Sequence, residues 1–118
     1  MRKTILIIDD DIGTRESVRL LLTPEYEVIC VDSVAGGLQV LKEHKIALVI
    51  SDLRTGEFDG MGGLEAIREY DPDLPVIMLT GYGTPDVERQ ALDRGASAFI
   101  VKPFELEAMR DTVRKHSR

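Results

Sequence analysis

Five short apolar runs, rich in Val, Ile and Leu, alternate along the chain with segments whose apolar residues recur at helical spacing. Four of the runs are almost continuously apolar, which is typical of strands covered on both faces. The runs are TILIID (Thr4–Asp9), YEVICV (Tyr26–Val31), ALVISD (Ala47–Asp52), PVIMLT (Pro75–Thr80) and AFIVK (Ala98–Lys102). The order βαβαβαβαβα predicts an α/β fold, a doubly wound parallel sheet of five strands with five helices on its two faces.

The helical segments carry apolar stripes and, in places, start and stop signals. The stripes are Val18, Leu21 and Leu22; Val34, Leu38 and Leu41; Leu64 and Ile67; Val87, Ala91 and Leu92; and Leu106, Met109 and Val113. Thr84 and Pro85 predict an N-cap followed by a proline in the first turn, and Gly95 predicts a helix end. Gly36 and Gly37 have low helix propensity and weaken the prediction of the second helix.

Size and composition restrict the kind of protein. The 118 residues correspond to one domain, so we expect residues 1–118 to form a single unit. A formal charge of −6 argues against direct binding of nucleic acid, which requires a basic face. The apolar runs are much shorter than the roughly 20 residues of a transmembrane helix, so we expect no membrane association. One cysteine, Cys30, excludes a disulfide framework and fits the cytoplasm.

Polar side chains capable of phosphate chemistry follow or end four of the predicted strands. They are Asp9, Asp10 and Asp11 after the first strand, Asp52 on the third, Thr80 on the fourth and Lys102 on the fifth. Ligands of open α/β sheets bind beyond the carboxyl ends of the strands. Two unit charges roughly 4 Å apart repel by roughly 4 kcal/mol at an effective dielectric of about 20. The carboxylates therefore either point into water or surround a cation.

Together these groups match the requirements of phosphoryl transfer. Carboxylate oxygens bind Mg²⁺, and a carboxylate can attack phosphorus to form an aspartyl phosphate. Lysine and threonine can bind phosphoryl oxygens. Each residue taken alone also fits an ordinary solvated turn or, for Thr80, a β-branched strand position. Their joint occurrence at four strand ends favours a phosphoryl-transfer site.

Four segments, ILIIDDD, ISDLRTGEFDG, VIMLTGYG and AFIVKPF, resemble in order and spacing the motifs of the receiver domains of bacterial two-component response regulators. The resemblance extends over the whole chain. It implies a single receiver domain over residues 1–118 with a flavodoxin-like sheet of strand order 2-1-3-4-5. It also implies a phospho-accepting signalling domain, which catalyses only its own phosphorylation and dephosphorylation.

The resemblance assigns a role to each site residue. Asp52 would accept the phosphoryl group, and Mg²⁺ would be bound directly by Asp10 and Asp52. Asp9 would act on the metal through water, and the backbone carbonyl of Arg54 would supply a further ligand. Asp11 is expected to be the solvated member of the acidic triplet.

The remaining roles concern the phosphoryl oxygens and the conformational switch. Lys102 and Thr80 would bind the phosphoryl oxygens, and Thr80 and Phe99 would form the switch. A cis peptide bond is implied before Pro103. The family commonly has Met-Pro where Thr55 and Gly56 stand, a departure that affects the loop and removes no pocket group.

The implied partners are those of a phosphorelay in the cytoplasm. A histidine kinase or a histidine phosphotransfer domain would donate the phosphoryl group. The changed conformation would be read by an output domain or target protein on the face of the fourth helix, fifth strand and fifth helix. Homodimerisation on phosphorylation, and whether the domain stands alone or belongs to a longer regulator, remain open at this point.

Two other functions are weighed against this one. In a haloacid-dehalogenase-like phosphatase the first strand ends D-x-D-x-[TV]; Asp9 and Asp11 fit, but Gly13 occupies the last position. A receiver-like binding module that is never phosphorylated would not require Asp52 and Lys102 together.

Overall fold

The computed structural model describes residues 2–52, 60–81 and 83–118, with Gly60 described by its backbone alone. Strands and helices alternate in this part of the chain as predicted. The strands are β1 (Thr4–Ile8), β2 (Glu27–Val31), β3 (Leu48–Asp52), β4 (Val76–Thr80) and β5 (Ala98–Val101). The helices are α1 (Ile12–Leu22), α2 (Val34–Glu43), α3 (Gly60–Tyr70), α4 (Pro85–Asp93) and α5 (Leu106–His116).

The described strands form one parallel sheet in the order β2-β1-β3-β4-β5, which confirms the predicted topology. The register aligns Ile8 with Ser51 and Asp52 with Leu79. Thr80 is paired with Val101 at the other side of β4. The carboxyl ends of β1, β3, β4 and β5 therefore meet at one edge of the sheet, where the predicted site residues lie.

Both faces of the sheet are covered, which explains the continuously apolar strands. In β1, Ile5 and Ile7 pack into the cluster that includes Val18 of α1 and Met109 of α5. The alternate residues Leu6 and Ile8 pack into the second cluster, beneath α2, α3 and α4. All four of these β1 side chains are fully buried.

Helix α2 forms in spite of its glycine pair. The Ser33 hydroxyl caps it by accepting a hydrogen bond from the Gly36 amide at 3.0 Å. A Cβ atom at Gly37 would lie only 2.5 Å from Cδ1 of the buried Ile8. Gly37 therefore allows α2 to approach β1 closely, a packing requirement that outweighs its low helix propensity.

The start and stop signals of α4 are confirmed. The Thr84 hydroxyl accepts a hydrogen bond from the Val87 amide at 3.2 Å, and Pro85 is the first helical residue. Gly95 has a φ of 102°, a left-handed conformation that favours glycine after a helix end. Its carbonyl also accepts hydrogen bonds from the guanidinium of Arg68 on α3, at 2.9 and 2.6 Å.

Two details of the predicted pattern are wrong. Leu92 and Leu106 belong to predicted apolar stripes, yet their exposed fractions are 44% and 55%. The buried side of each helix consists instead of Ala91 in α4, and of Met109 and Val113 in α5. Leu92 and Leu106 are thus exposed apolar side chains and not part of the core.

Candidate functional site

The predicted site residues meet at the carboxyl edge of the sheet. Asp9 and Asp10 follow β1, Asp52 and Thr80 end β3 and β4, and Lys102 follows β5. Lys102 ends the pairing of β5 with β4: its amide donates to the Thr80 carbonyl at 2.7 Å, and the next residue is a proline, which has no amide hydrogen. Arg54, like Thr55 and Gly56, lies outside the described residues.

Asp9, Asp10 and Asp52 form a compact group of carboxylates. One oxygen from each lies within 4.8 Å of the others. Asp9 is 1% exposed and Asp52 is 8% exposed, whereas Asp10 faces solvent. Several carboxylate oxygens around one point, one of them open to water, suit a hard divalent cation such as Mg²⁺, which keeps part of its water shell. The donor set therefore fits the metal that the sequence predicted.

Lys102 places a positive charge among these carboxylates. Its Nζ donates to Oδ2 of Asp52 at 2.8 Å and to Oδ2 of Asp9 at 3.3 Å. Burial acts to lower the pKa of the ammonium, but the hydrogen bond to Asp52 and the charges of Asp9 and Asp52 outweigh it and raise that pKa above its ordinary value. Lys102 thus stays protonated and offsets the repulsion between the two buried acids.

Asp9 is the most buried carboxylate of the group. Burial raises its pKa above the ordinary value, the hydrogen bond that its Oδ1 accepts from the Asp11 amide at 2.8 Å opposes that effect, and the nearby charge of Asp52 adds to it. The same hydrogen bond shapes the turn between β1 and α1.

Asp11 is exposed, as predicted, but it also has a structural role that the sequence analysis missed. Its carboxylate caps α1 by accepting hydrogen bonds from the Gly13 amide at 3.2 Å and the Thr14 hydroxyl at 2.8 Å. The Thr14 hydrogen bond is the main reason that the pKa of Asp11 is lowered. An aspartate directly before an amphipathic segment is an N-cap signal that could have revealed this role.

Arg15, near the start of α1, is a second residue that the sequence analysis missed. Its Nη1 donates to the backbone carbonyl of Asp9 at 2.7 Å. No sequence pattern distinguishes this arginine from a surface residue of α1.

The predicted switch residues lie on adjacent strands. Thr80 is completely buried, and Phe99 is half-buried against the core cluster beneath α2, α3 and α4. Phe99 is aligned with Met78, two residues before Thr80. The peptide bond between Lys102 and Pro103 is cis, as the resemblance implied.

Comparison with known proteins agrees with this geometry. Residues 5–114 match the family model described as the response regulator receiver domain. The chain belongs to this family. It is therefore a receiver domain, a signalling domain of response regulators.

Curated relatives and solved structures extend the comparison to the whole chain. The response regulator protein FleR of Pseudomonas aeruginosa is 38% identical over 118 residues, 99% of this chain and 25% of FleR. The transcriptional regulatory protein GlrR of Escherichia coli K12 is 41% identical over 106 residues, 89% of this chain and 24% of GlrR. This receiver domain thus spans about a quarter of the length of these relatives.

A solved receiver domain has the same fold. The solution structure of the beryllofluoride-activated NtrC4 receiver domain dimer matches with a TM-score of 0.91 and 27% identity, covering 97% of this chain and 95% of that one. Within the described ranges of the receiver domain, no helix has both the length and the apolar character needed to cross a membrane.

Proposed function

We propose that Asp52 accepts the phosphoryl group from the phosphohistidine of a histidine kinase or a histidine phosphotransfer domain. A carboxylate oxygen of Asp52 would form a bond to phosphorus as the phosphorus–nitrogen bond breaks. The imidazole would leave with the electron pair of that bond and take up a proton from water. The observation that carries this proposal is the position of Asp52 at the end of β3, 2.8 Å from Lys102 and within the carboxylate group.

Mg²⁺ is the proposed cofactor. Asp10 and Asp52 would bind it directly, Asp9 would bind it through water, and the backbone carbonyl of Arg54 would complete the protein ligands. When bound, the metal would neutralise charge on the phosphoryl oxygens. The proximity of the three carboxylates supports this assignment.

Lys102 and Thr80 are the proposed phosphoryl ligands. Lys102 already contacts the acceptor carboxylate, so its ammonium is placed to bind an oxygen of the new phosphoryl group. The Thr80 hydroxyl would donate to another phosphoryl oxygen. Because β4 pairs with β5, a movement of Thr80 would affect Phe99 on the adjacent strand. In this scheme the domain acts only on its own aspartate, in phosphorylation and in dephosphorylation.

The proposed output surface is the face of α4, β5 and α5. Within the described residues, each of these elements carries a large exposed apolar side chain: Leu92 on α4, Val101 on β5 and Leu106 on α5, with exposed fractions of 44%, 43% and 55%. A partner that covers them only in the phosphorylated state would shift the equilibrium between the two conformations. The NtrC4 receiver domain is described as a dimer in its activated form, which supports homodimerisation as one use of this face.

We also propose where the domain acts and what it controls. Residues 1–118 would form one receiver domain acting in the cytoplasm, without direct contact to nucleic acid or membrane. The downstream element would be an output domain or a separate target protein. FleR and GlrR, each about four times the length of the matched segment, favour the first arrangement.

The decisive experiment is intact-mass measurement after incubation with acetyl phosphate and Mg²⁺. We expect the wild type to gain one phosphoryl group, and EDTA to prevent the gain. Asp52→Asn should abolish it, because the amide is not a nucleophile for this reaction. Asp73→Asn is the matched control and should behave as the wild type does. Asp73 precedes β4 and so lies at the amino ends of the strands, away from the site.

Two results would contradict the proposal. An adduct of equal yield on Asp52→Asn would place the acceptor elsewhere. No adduct on the wild type with either acetyl phosphate or a phosphorylated histidine kinase would show that Asp52 is not an acceptor, whether or not Mg²⁺ binds.

A further inference from the structure

The turn between β1 and α1 determines where two of the three clustered carboxylates lie. Asp9 and Asp10 both belong to this turn, which is only three residues long. The Asp9 amide donates to the Val31 carbonyl of β2 at 3.1 Å, and the Asp11 amide donates to the Asp9 carboxylate at 2.8 Å. These contacts fix the two ends of the turn but leave the peptide between Asp9 and Asp10 to be oriented by another group.

Arg15 provides that contact. Its guanidinium donates to the Asp9 carbonyl at 2.7 Å, across six residues and back from the first turns of α1. This carbonyl is part of the planar peptide that joins Asp9 to Asp10. A hydrogen bond from a charged donor is stronger than a neutral one, so it holds the plane of this peptide. The direction in which the Asp10 side chain leaves the backbone is held with it.

We propose that Arg15 is a positioning residue for the divalent cation site: it orients the Asp9–Asp10 peptide so that the exposed Asp10 carboxylate meets those of Asp9 and Asp52. The inference rests on the proposed function, since it concerns the same metal. Arg15 binds a backbone oxygen and leaves the carboxylate oxygens to the cation. In metal sites generally, groups that orient the ligands affect affinity about 10- to 100-fold.

Arg19, one turn further along α1, offers a matched comparison. It is half-buried like Arg15, but its guanidinium pairs with Glu16 of the same helix at 2.6 Å. An ion pair between two side chains of one helix that solvent still reaches contributes little to stability, and this pair lies one helical turn beyond Arg15. A substitution of Arg19 therefore reproduces the loss of a half-buried arginine from α1 without touching the Asp9 carbonyl.

The test is calorimetric titration of the whole domain with MgCl₂, together with its melting temperature, for wild type, Arg15→Met and Arg19→Met. We expect Arg15→Met to raise the Kd for Mg²⁺ by on the order of tenfold, as for other groups that orient metal ligands. Arg19→Met should leave the Kd within about twofold of the wild type. Phosphorylation of Arg15→Met by acetyl phosphate should be slow at low Mg²⁺ and recover at saturating Mg²⁺, which a general loss of structure would not produce.

An unchanged Kd in Arg15→Met would overturn the inference while leaving Asp52 as acceptor. Equal weakening in both variants would also overturn it. If Arg15→Met does not fold, Arg15→Gln takes its place with the same expected weakening and the same contradicting result. A wild type that binds Mg²⁺ but forms no adduct would overturn the acceptor role alone, and a wild type that does not bind Mg²⁺ would overturn both the metal site and the role of Arg15.

Discussion

Lys102 is the side chain that offsets the negative charge of the two buried carboxylates of the site. Asp9 and Asp52 are almost fully buried, and Lys102 contacts both of them from the end of β5. The ammonium therefore links two strands that are not neighbours, β1 and β5, through the site itself. A divalent cation bound at the proposed site would share these carboxylates with the ammonium of Lys102.

Replacement of Lys102 by methionine should separate stability from metal binding. We expect Lys102→Met to lower the free energy of unfolding by about 1–3 kcal/mol without Mg²⁺, because a charged hydrogen-bond partner is lost from two buried acids. Mg²⁺ should raise the stability of this variant more than that of the wild type, since the metal then supplies the missing charge. Urea unfolding with and without MgCl₂ measures both effects. Lys45→Met, at the opposite edge of the sheet, is the control; an equal response to Mg²⁺ in Lys102→Met and wild type would contradict the argument.

The residues of the site differ in how well they could be predicted. Asp9, Asp52, Thr80 and Lys102 could be found because each ends or follows a strand, and parallel strands bring such ends together. Arg15 could not be found in this way. Its partner is a backbone carbonyl, and the direction of that carbonyl depends on the turn and not on any side-chain pattern.

At the scale of elements, α2 illustrates a conflict between local propensity and packing. Gly36 and Gly37 lower the helix propensity of this segment by roughly 1 kcal/mol each relative to alanine. The helix is nevertheless complete, because Ser33 caps it and its apolar side covers β1. Propensity alone could not predict this result, since the reason for Gly37 is the buried Ile8 side chain beneath it.

Gly37→Ala should therefore destabilise the receiver domain although alanine favours helices. The new Cβ would lie 2.5 Å from Cδ1 and 3.0 Å from Cγ1 of Ile8. Because Ile8 is fully buried, its side chain cannot move out into solvent. Overpacking of this kind costs about 1–3 kcal/mol. Gly13→Ala in α1 is the matched control: its Cβ would meet only the Asp11 carboxylate, at 3.6 Å, so the stability should stay equal or rise. Thermal unfolding compares the two, and a Gly37→Ala variant as stable as the wild type would refute the packing argument.

For the whole molecule, topology accounts for most of what was predictable. The alternation of apolar runs and amphipathic segments implies a parallel sheet, and the parallel sheet implies a shared edge for the strand ends. The order β2-β1-β3-β4-β5 then places Asp9 beside Asp52. Side-chain exposure was predicted less well. The periodicity assigned Leu92 and Leu106 to the core, but both are exposed.

At the amino ends of the strands, contacts of Asp71 should make the stability of the domain depend on pH. Arg118 donates to the Asp71 carboxylate at 2.8 Å, and its amide donates to the Ala47 carbonyl at 3.1 Å, so Arg118, after α5, contacts the residue that follows α3 and the residue that precedes β3. The hydrogen bond from Arg118 lowers the pKa of Asp71 below its ordinary value of 3.8, with further help from the Asp73 amide.

Because the folded state lowers this pKa, Asp71 stabilises the domain above pH 3.8, and the contribution is lost as the pH falls through the lower folded pKa. We expect Asp71→Asn to be less stable than wild type at pH 7, and the difference to disappear at strongly acidic pH. Urea unfolding across this range, repeated in an Arg118→Met background where the pH-dependent difference should be much smaller, tests the assignment. A difference that does not change with pH would contradict the assignment, because it would show that the charge of Asp71 is not the source of its stabilising effect.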